Sequence, residues 1–260
     1  MITIRDLRKS LQKKEVLKGV NLDVSAGEIL VILGRSGCGK SVFLKHVAGL
    51  FKPDSGSIVV KGVEITNLDH LKFIEKGIRI AILFQNSALF DSLNVRENVG
   101  FYIDRYSGLP EEERDRLVKE KLELVDLRDI EQYKPFQLSG GMQKRVALAR
   151  SLITEPDVML YDEPTTGLDP ITADAINNLI LDLNQRLKIT SLIVTHDLAS
   201  AFKVAHRMAF LNEGVIAVEG TPDEIKASPD ETLQRFLSGS YQEDSVNLSA
   251  TRRRRYARWV

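Results

Sequence analysis

The sequence has a single cysteine, no excess of either charge and no long hydrophobic run. Cys38 is the only cysteine in 260 residues, which excludes an intrachain disulfide framework and indicates a reducing compartment. The 36 basic residues, lysine and arginine, equal the 36 acidic residues in number, so no global field favours nucleic acid or an anionic membrane surface. We therefore expect no nucleic-acid partner.

Apolar stretches long enough to enter a membrane are also missing. The longest apolar run is Ile29–Leu33, far below the ~20 residues that a membrane-spanning helix needs. The first residues lack the apolar core of a secretory signal. If the protein serves a membrane process, we expect it to do so by docking onto another protein.

The sequence does contain an ordinary globular balance, with 43% apolar and 28% charged residues. Short apolar runs recur, each bounded by polar or glycine-containing segments and separated from the next by helical patterns. Such runs predict buried strands of a mostly parallel sheet in an α/β domain. The five runs are Ile29–Leu33, Ile80–Phe84, Val158–Tyr161, Ser191–Thr195 and Met208–Leu211.

Two further regions depart from this α/β pattern. Alternating apolar residues before Gly27, joined by Ser57–Val60, predict a small antiparallel β layer. Amphipathic stretches replace the short apolar runs over residues 86–156, which predicts an inserted helical lobe. We expect these parts to belong to one domain over residues 1–239.

A glycine-rich segment follows the first apolar run and precedes a helical pattern. It matches G-x-x-x-x-G-K-S in the strand–loop–helix context that this motif requires. Its glycines let backbone N–H groups converge on phosphate oxygens, with Lys40 on the β- and γ-phosphates of ATP and the Ser41 hydroxyl on Mg²⁺. Within the loop, Cys38 is either a redox sensor or a small residue that the loop tolerates. The predicted nucleotide-binding residues of the loop are Gly34, Arg35, Ser36, Gly37, Cys38, Gly39, Lys40 and Ser41.

Two carboxylates, Asp162 and Glu163, follow the apolar run that begins at Val158. A strand that carries acids at its C-terminal end places them in the crevice where α/β sheets bind ligands. We expect Asp162 to hold Mg²⁺ through its water shell and Glu163 to orient or deprotonate the attacking water. An acid pair at a strand end is also a common start of a loop, and the phosphate loop favours the catalytic interpretation.

The segment Leu138–Met142, Leu-Ser-Gly-Gly-Met, precedes another helical pattern and so offers a second helix N-terminus to an anion. A phosphate loop followed by Leu-Ser-Gly-Gly, an Asp-Glu pair and the later His196 resembles the nucleotide-binding domain of ABC ATPases. The resemblance extends through about Gly220. It implies a P-loop NTPase fold of the α/β class, with a mixed central sheet, a small antiparallel β subdomain and an inserted helical subdomain.

The resemblance also implies how the site is completed. In ABC ATPases two such domains meet head to tail and sandwich two ATP molecules, so the expected partner is a second copy of this chain. Lys40 and Ser41 of one copy would face Ser139, Gly140 and Gly141 of the other. The expected reaction is in-line hydrolysis of ATP, with positioning and electrostatics carrying most of the barrier reduction.

Three more positions match functional positions of that family. Gln85 matches the residue that contacts Mg²⁺ and the attacking water, and His196 matches the histidine that switches with the γ-phosphate. Asp169, in the segment Gly167–Asp169, matches the loop that links the two sites across the dimer and is counted with the nucleotide-binding residues. The catalytic residues so implied are Glu163, His196 and Gln85, and the implied Mg²⁺ ligands are Ser41, Gln85 and Asp162.

Two departures from the family pattern matter. Leu11 stands where an aromatic ring usually stacks on adenine, so Leu11 and Val16 are expected to form an apolar clamp with little base discrimination. This predicts tolerance of GTP. Met142 stands where glutamine is commoner, and activity is expected to survive because the anion contacts come mainly from Ser139 and Gly141.

The segment after Gln85 suggests what is moved. Its string Ala-Leu-Phe-Asp-Ser-Leu, residues 88–93, looks like the ATPases of MCE-associated, Mla-type phospholipid transporters. The partners so implied are an integral membrane permease, MCE-domain subunits and small accessory subunits. The implied location is peripheral, on the cytoplasmic face of the inner membrane. An importer ATPase for a polar amino acid or another small solute, and a non-transport ATPase of cofactor assembly, remain alternatives.

The C-terminal part begins with Thr221 and Pro222, which predict a helix start. A basic extension over residues 240–260 ends the chain and contains Arg252–Arg255. Three interpretations of this run are open: a solvated tail, a segment that docks on the partner copy, or one attracted to an anionic membrane surface.

Overall fold

A computed structural model describes residues 1–68 and 70–239, which form two β-sheets with helices packed on and between them. The strands, in chain order, are β1 (Ile2–Leu11), β2 (Lys14–Val24), β3 (Ile29–Leu33), β4 (Ser55–Val60), β5 (Val63–Glu64), β6 (Ile80–Leu83), β7 (Val158–Asp162), β8 (Thr190–Thr195), β9 (Arg207–Asn212) and β10 (Val215–Gly220). The larger sheet has the order β10-β9-β3-β8-β7-β6, with β10 antiparallel to β9 and the remaining pairs parallel. The smaller sheet is antiparallel, with the order β2-β1-β4-β5.

The helices occupy the connections between these strands. They are α1 (Lys40–Val47), α2 (His70–Glu75), α3 (Val95–Tyr106), α4 (Glu111–Leu124), α5 (Gly140–Leu152), α6 (Pro170–Leu187), α7 (Leu198–Val204), α8 (Pro222–Ala227) and α9 (Glu231–Leu237), with a 3₁₀ turn at Pro135–Gln137. Several of these helices have side-chain N-caps. Asn94, Ser139 and Asp169 accept hydrogen bonds from backbone N–H groups in the first turns of α3, α5 and α6, respectively. These caps fix where the loops of the site end.

The larger sheet has a hydrophobic core on each face. Along β3 the side chains alternate: Ile29, Val31 and Leu33 pack with α3, α5 and α6, while Leu30 and Ile32 pack with α1 and the smaller sheet. All five side chains are fully buried. A strand covered on both faces reads as a continuous apolar run, which is why its position was visible in the sequence.

The fold class predicted from the sequence is confirmed. All five apolar runs are strands of the larger sheet, and α8 begins at Pro222 after a capping box between Thr221 and Glu224. The strand predicted to reach Phe84 ends at Leu83, because the Phe84 carbonyl accepts a hydrogen bond from Ser87 N at 3.0 Å in a turn.

The predicted domain limits stay a prediction, although α3, α4 and α5 all fall within the range 86–156. The basic extension over residues 240–260 lies outside the described residues. Among the helices of the described residues, none has the length and apolar character that crossing a membrane requires.

Candidate functional site

A cleft of about 370 Å³ opens at the carboxyl edge of the larger sheet. The phosphate loop follows β3, Asp162 ends β7 and is followed by Glu163, and His196 follows β8. Since β8 lies between β3 and β7, sheet order brings these three segments together. The cleft is lined by Leu11, Val16, Ser36, Gly37, Gly39, Lys40, Ser41, Val42, Gln85, Glu163 and His196. Every lining residue except Val42 is one that the sequence predicted for the site.

The phosphate loop folds around the ammonium group of Lys40. Lys40 Nζ donates to the carbonyls of Gly34 at 2.7 Å and Arg35 at 3.0 Å, and the side chain is only 6% exposed. Gly39 has φ +111°, and a Cβ there would lie 3.1 Å from a methyl group of Val16. A side chain at this position would be strained and crowded, so the close turn before α1 requires glycine.

The two predicted Mg²⁺ ligands at the floor of the cleft contact each other. Ser41 Oγ donates to Asp162 Oδ1 at 2.9 Å. Burial raises the pKa of the Asp162 carboxyl, the Ser41 hydrogen bond opposes that rise, and the nearby charge of Glu163 adds to it. The carboxylate therefore sits where a cation would relieve an unfavourable charge.

Glu163 is held by groups from two neighbouring segments. Its Oε2 accepts hydrogen bonds from Thr195 Oγ1 at 3.0 Å and Thr166 Oγ1 at 3.2 Å, and lies 2.9 Å from His196 Nδ1. Its Oε1 lies 3.7 Å from Lys40 Nζ. Glu163 also has a left-handed backbone, with φ +50°, a conformation that non-glycine residues hold only when their surroundings impose it. Sequence reasoning missed Thr166 and Thr195, since no motif marks them.

The Leu-Ser-Gly-Gly residues form a second patch, which does not line this cleft. Ser139 caps α5 by accepting from Met142 N at 3.3 Å, and Ser139 and Gly140 are exposed. A Cβ on Gly141 would lie 2.5 Å from the Thr172 side chain in the first turn of α6. Glycine here lets the start of α5 pack closely against the start of α6.

Asp169 belongs to this second patch and caps α6. Its Oδ1 accepts hydrogen bonds from the backbone N–H groups of Ile171 and Thr172, both at 3.0 Å. Hydrogen bonding to Thr172 lowers the pKa of the Asp169 carboxyl. The predicted nucleotide-binding residues are thus divided in one copy. Most of the phosphate loop lines the cleft with Leu11 and Val16, Arg35 and Cys38 line an adjoining pocket, and the Leu-Ser-Gly-Gly residues and Asp169 form the second patch.

Gln85 lies at the edge of the cleft with an exposed side chain, and its backbone carbonyl faces α5. The buried Lys144 Nζ donates to that carbonyl. Arg150 of the same helix donates to the carbonyls of Ser87 and Ala88, both at 2.8 Å. Sequence reasoning missed both cations, because a basic residue in an amphipathic helix predicts a solvated position.

Cys38 is partly buried beside Gly34, and burial raises the pKa of its thiol. A protonated thiol is a poor nucleophile and oxidises slowly. Of the two interpretations of Cys38, this favours the small tolerated residue over the redox sensor.

The chain is similar to a known protein family and to several named proteins. Residues 17–166 match the family model described as ABC transporter. The chain is 42% identical over 256 residues to Protein TRIGALACTOSYLDIACYLGLYCEROL 3, chloroplastic, of Arabidopsis thaliana, covering 92% of this chain and 74% of that protein. It is 38% identical over 238 residues to the probable ribonucleotide transport ATP-binding protein mkl of Mycobacterium leprae, covering 92% and 69%. It is 40% identical over 237 residues to the methionine import ATP-binding protein MetN of Brucella abortus, covering 91% and 64%.

A solved structure agrees with these relatives. The ATP-binding cassette MJ0796, a dimer in a post-hydrolysis state with ADP and Pi bound, superposes with a TM-score of 0.77. The two sequences are 33% identical, and the match covers 85% of this chain and 99% of that one. ABC cassettes dimerise and work with membrane permease subunits. The chain belongs to the ABC transporter ATP-binding family and is an ATP-hydrolysing subunit of such a transporter.

Proposed function

We propose that this chain dimerises head to tail, binds two ATP with Mg²⁺ and drives a permease that moves phospholipid or another hydrophobic substrate. The observation that carries the ATP site is the cleft where Lys40, Ser41 and Glu163 meet. A similar cassette binds ADP and Pi as a dimer.

Lys40 holds the β- and γ-phosphates, since its ammonium is already confined to the loop by the Gly34 and Arg35 carbonyls. Ser41, Asp162 and Gln85 supply the oxygen donors that suit Mg²⁺, and the raised pKa of Asp162 fits a cation site. Mg²⁺ would supply charge neutralisation between the β- and γ-phosphates.

Glu163 orients the attacking water and accepts its proton. Its Oε2 accepts a hydrogen bond from Thr195 and lies 2.9 Å from His196 Nδ1, and these contacts hold the carboxylate at the cleft. His196 has an exposed ring at the mouth of the cleft, from which it would contact the γ-phosphate. These positions support the catalytic roles of both residues.

The second patch supports the dimer. Ser139 and Gly140 are exposed at the N-terminus of α5, and this helix end offers backbone N–H groups to an anion. This patch does not line the cleft of its own copy. The phosphates of a nucleotide bound in the cleft of the partner copy are therefore the ligand that suits it. Ser139, Gly140, Gly141 and Asp169 would then complete the site of the other copy.

The lipid assignment is supported by a relative and by a segment. The Arabidopsis relative carries a glycolipid in its name, and the Mla-like string 88–93 follows Gln85. Phe90 in that string is 42% exposed and stacks with Phe101 at 4.6 Å. The exposed Phe90 ring, in the segment that follows Gln85, fits docking of a permease segment.

A small-solute importer is the second candidate function. A relative named for methionine import is 40% identical over 91% of this chain, close to the 42% of the glycolipid-named relative. A third relative is named for ribonucleotide transport. The catalytic residues are expected to be common to all these ATPases, so they do not separate the substrates. No observation favours a cofactor-assembly ATPase.

Purification of the full-length chain from its own membranes separates these candidates. Proteins and lipids that copurify are identified by mass spectrometry, and ATPase activity of the complex is measured with phospholipid and with methionine. Copurification of a permease, MCE-domain proteins and phospholipid would support the proposal. Stimulation by methionine without lipid would support the second candidate.

Two variants test whether the permease docks beside Gln85. Phe90→Asp places a charge in the proposed docking region, and Val215→Asp places the same charge on β10, at the opposite edge of the larger sheet from β6. We expect the permease to be lost with Phe90→Asp and retained with Val215→Asp. Equal retention in both would contradict docking at this region.

A further inference from the structure

Two cations of α5 hold the loop that contains Gln85. Lys144 Nζ donates to the Gln85 carbonyl and lies 3.5 Å from the Phe84 carbonyl. Arg150 donates through both of its terminal nitrogens, one to Ser87 O and one to Ala88 O, at 2.8 Å each. The loop is therefore tied to one helix at its beginning and at its end.

The loop needs these contacts to keep its shape. Ser87 and Ala88 both have left-handed backbones, with φ +59° and +48°. Two consecutive non-glycine residues in this region are strained, and such strain persists only where the surroundings impose it. Charge-assisted hydrogen bonds to their carbonyls, and a cation–π contact of Arg150 over the Phe90 ring at 5.7 Å, supply that constraint.

Burial of the Lys144 ammonium group is energetically unfavourable. Its side chain is 4% exposed, and an ammonium group removed from water is unfavourable unless it is hydrogen-bonded. Asp162 and Glu163 are the acids whose charges act on it. A buried methionine of similar length would avoid this cost, so the ammonium serves something other than packing.

The exposed Ser139 is the N-cap of α5, and Lys144 lies in the second turn of the same helix. We propose that Lys144 is a positioning residue, which ties the Gln85 carbonyl to the helix that begins at Ser139. This inference rests on the proposed roles of Gln85 and Ser139. A displacement of Ser139 by the nucleotide of the partner copy would be transmitted through α5 to Gln85, which serves the nucleotide of its own copy. The two sites of the dimer would thereby be coupled.

Steady-state ATPase measurements on the full-length chain with Mg²⁺ test the proposal. Lys144→Met removes the donor, Lys144→Arg keeps one, and Lys121→Met is the matched control. Lys121 is the comparable buried lysine, 7% exposed, but lies on α4 and pairs with Glu120 at 2.9 Å. We expect Lys144→Met to lower kcat about tenfold with little change in KM, as loss of a residue that orients a metal ligand typically does. Lys144→Arg should recover most of kcat, and Lys121→Met should keep it.

A double-mutant cycle with Gln85→Ala separates positioning from a general structural effect. If Lys144 acts through Gln85, Lys144→Met lowers kcat in the wild-type background and not in the Gln85→Ala background. A further tenfold loss in the double variant, or an unchanged kcat for Lys144→Met, would overturn the proposal. Should Lys144→Met fail to fold, Lys144→Gln, which keeps a neutral donor, replaces it in the same cycle.

Comparison of the wild-type chain with Glu163→Gln and Lys144→Met shows which of the proposed roles fails. If wild-type chain and Glu163→Gln hydrolyse ATP equally, the proposed catalytic roles fail. If wild-type chain hydrolyses ATP, Glu163→Gln does not, and Lys144→Met matches wild type, then only the positioning role of Lys144 fails.

Discussion

The two ends of the proposed nucleotide cleft are built from different chemistry. At the phosphate end, Lys40, Asp162 and Glu163 are all less than 10% exposed and each has a hydrogen bond or ion pair. At the base end stand Leu11, which is 37% exposed, and the half-buried Val16. One end is charged, buried and rigid, and the other is apolar and open to solvent.

In the proposed site, this difference separates catalysis from recognition of the base. Buried charges interact strongly because little water screens them, so a change at the phosphate end should alter the rate or the stability by a large factor. Contacts of aliphatic side chains depend on area and hardly on the identity of the base. Substitutions at the two ends should therefore differ in size and in kind.

The largest effect is expected from Glu163→Gln. The amide keeps the size of the side chain but loses the charge that accepts a proton from water, so kcat should fall by about 10²–10⁴-fold. ATP should still bind, and the variant should accumulate as an ATP-bound dimer, measured by size-exclusion chromatography with bound nucleotide quantified. Unchanged turnover would contradict the role of Glu163.

Lys40→Ala should lose ATP binding, whereas Glu163→Gln should keep it. Lys40→Ala removes the ammonium that the loop holds 2.7 Å from the Gly34 carbonyl, so affinity for ATP is lost before chemistry begins. A lost charged hydrogen bond of about 1.5–3 kcal/mol corresponds to an increase of about 10–150-fold in Kd. Nucleotide titration should show weak binding and no ATP-bound dimer. A Kd equal to that of the wild type would contradict phosphate binding by Lys40.

A smaller effect is expected on stability. Replacing Asp162 and Asp169 by asparagine should shift the melting temperature in opposite directions. Burial raises the pKa of Asp162, so its ionised form costs folding free energy, whereas capping hydrogen bonds lower the pKa of Asp169. Asp162→Asn should raise the melting temperature at neutral pH and abolish turnover, while Asp169→Asn should lower it.

The pH dependence of these two variants follows from the same shifts. The cost of ionised Asp162 is full above its raised folded pKa and disappears as pH falls below the unfolded value, so the gain from Asp162→Asn should shrink in acid. The stability from Asp169 is present above its unfolded pKa and is lost as pH falls through the folded one. Differential scanning calorimetry from pH 8 down to below 3.8, the ordinary pKa of an aspartate, checks both directions. If the two variants shifted the melting temperature with the same sign at neutral pH, the contrast between the two aspartates would be contradicted.

The phosphate end was also the part of the site that the sequence predicted best. Gly34–Ser41 lie in one local motif, and β3 and β7 are buried on both faces, so both could be identified without knowledge of the fold. The position of Glu163 beside Thr195 depends on β7 and β8 being neighbours, which no local pattern specifies.

Contacts between distant segments were the part that sequence reasoning could not supply. Lys144 and Gln85 are 59 residues apart and meet only because α5 packs against the end of β6. The burial of Lys144 has no signature, since lysine in a helix usually faces water. Short α2 was also missed, because a helix of six residues carries too few periodic positions.

The smallest effect is expected at the base end, from Leu11→Tyr. A ring at this position would stack on the base, and an aromatic contact is worth about 0.5–1.5 kcal/mol, or about 2–10-fold in Kd. Because every base offers a π-face, ATP and GTP should both bind more tightly and by similar factors.

The wild-type chain should accept GTP in competition with ATP, since Leu11 and Val16 offer no polar group that reads the base edge. Isothermal titration of both nucleotides to wild type, Leu11→Tyr and the control Leu11→Ala measures each Kd. Strict rejection of GTP by the wild type would mean that the base is read by polar groups outside this clamp, and the contrast between the two ends would then be weaker than the cleft indicates.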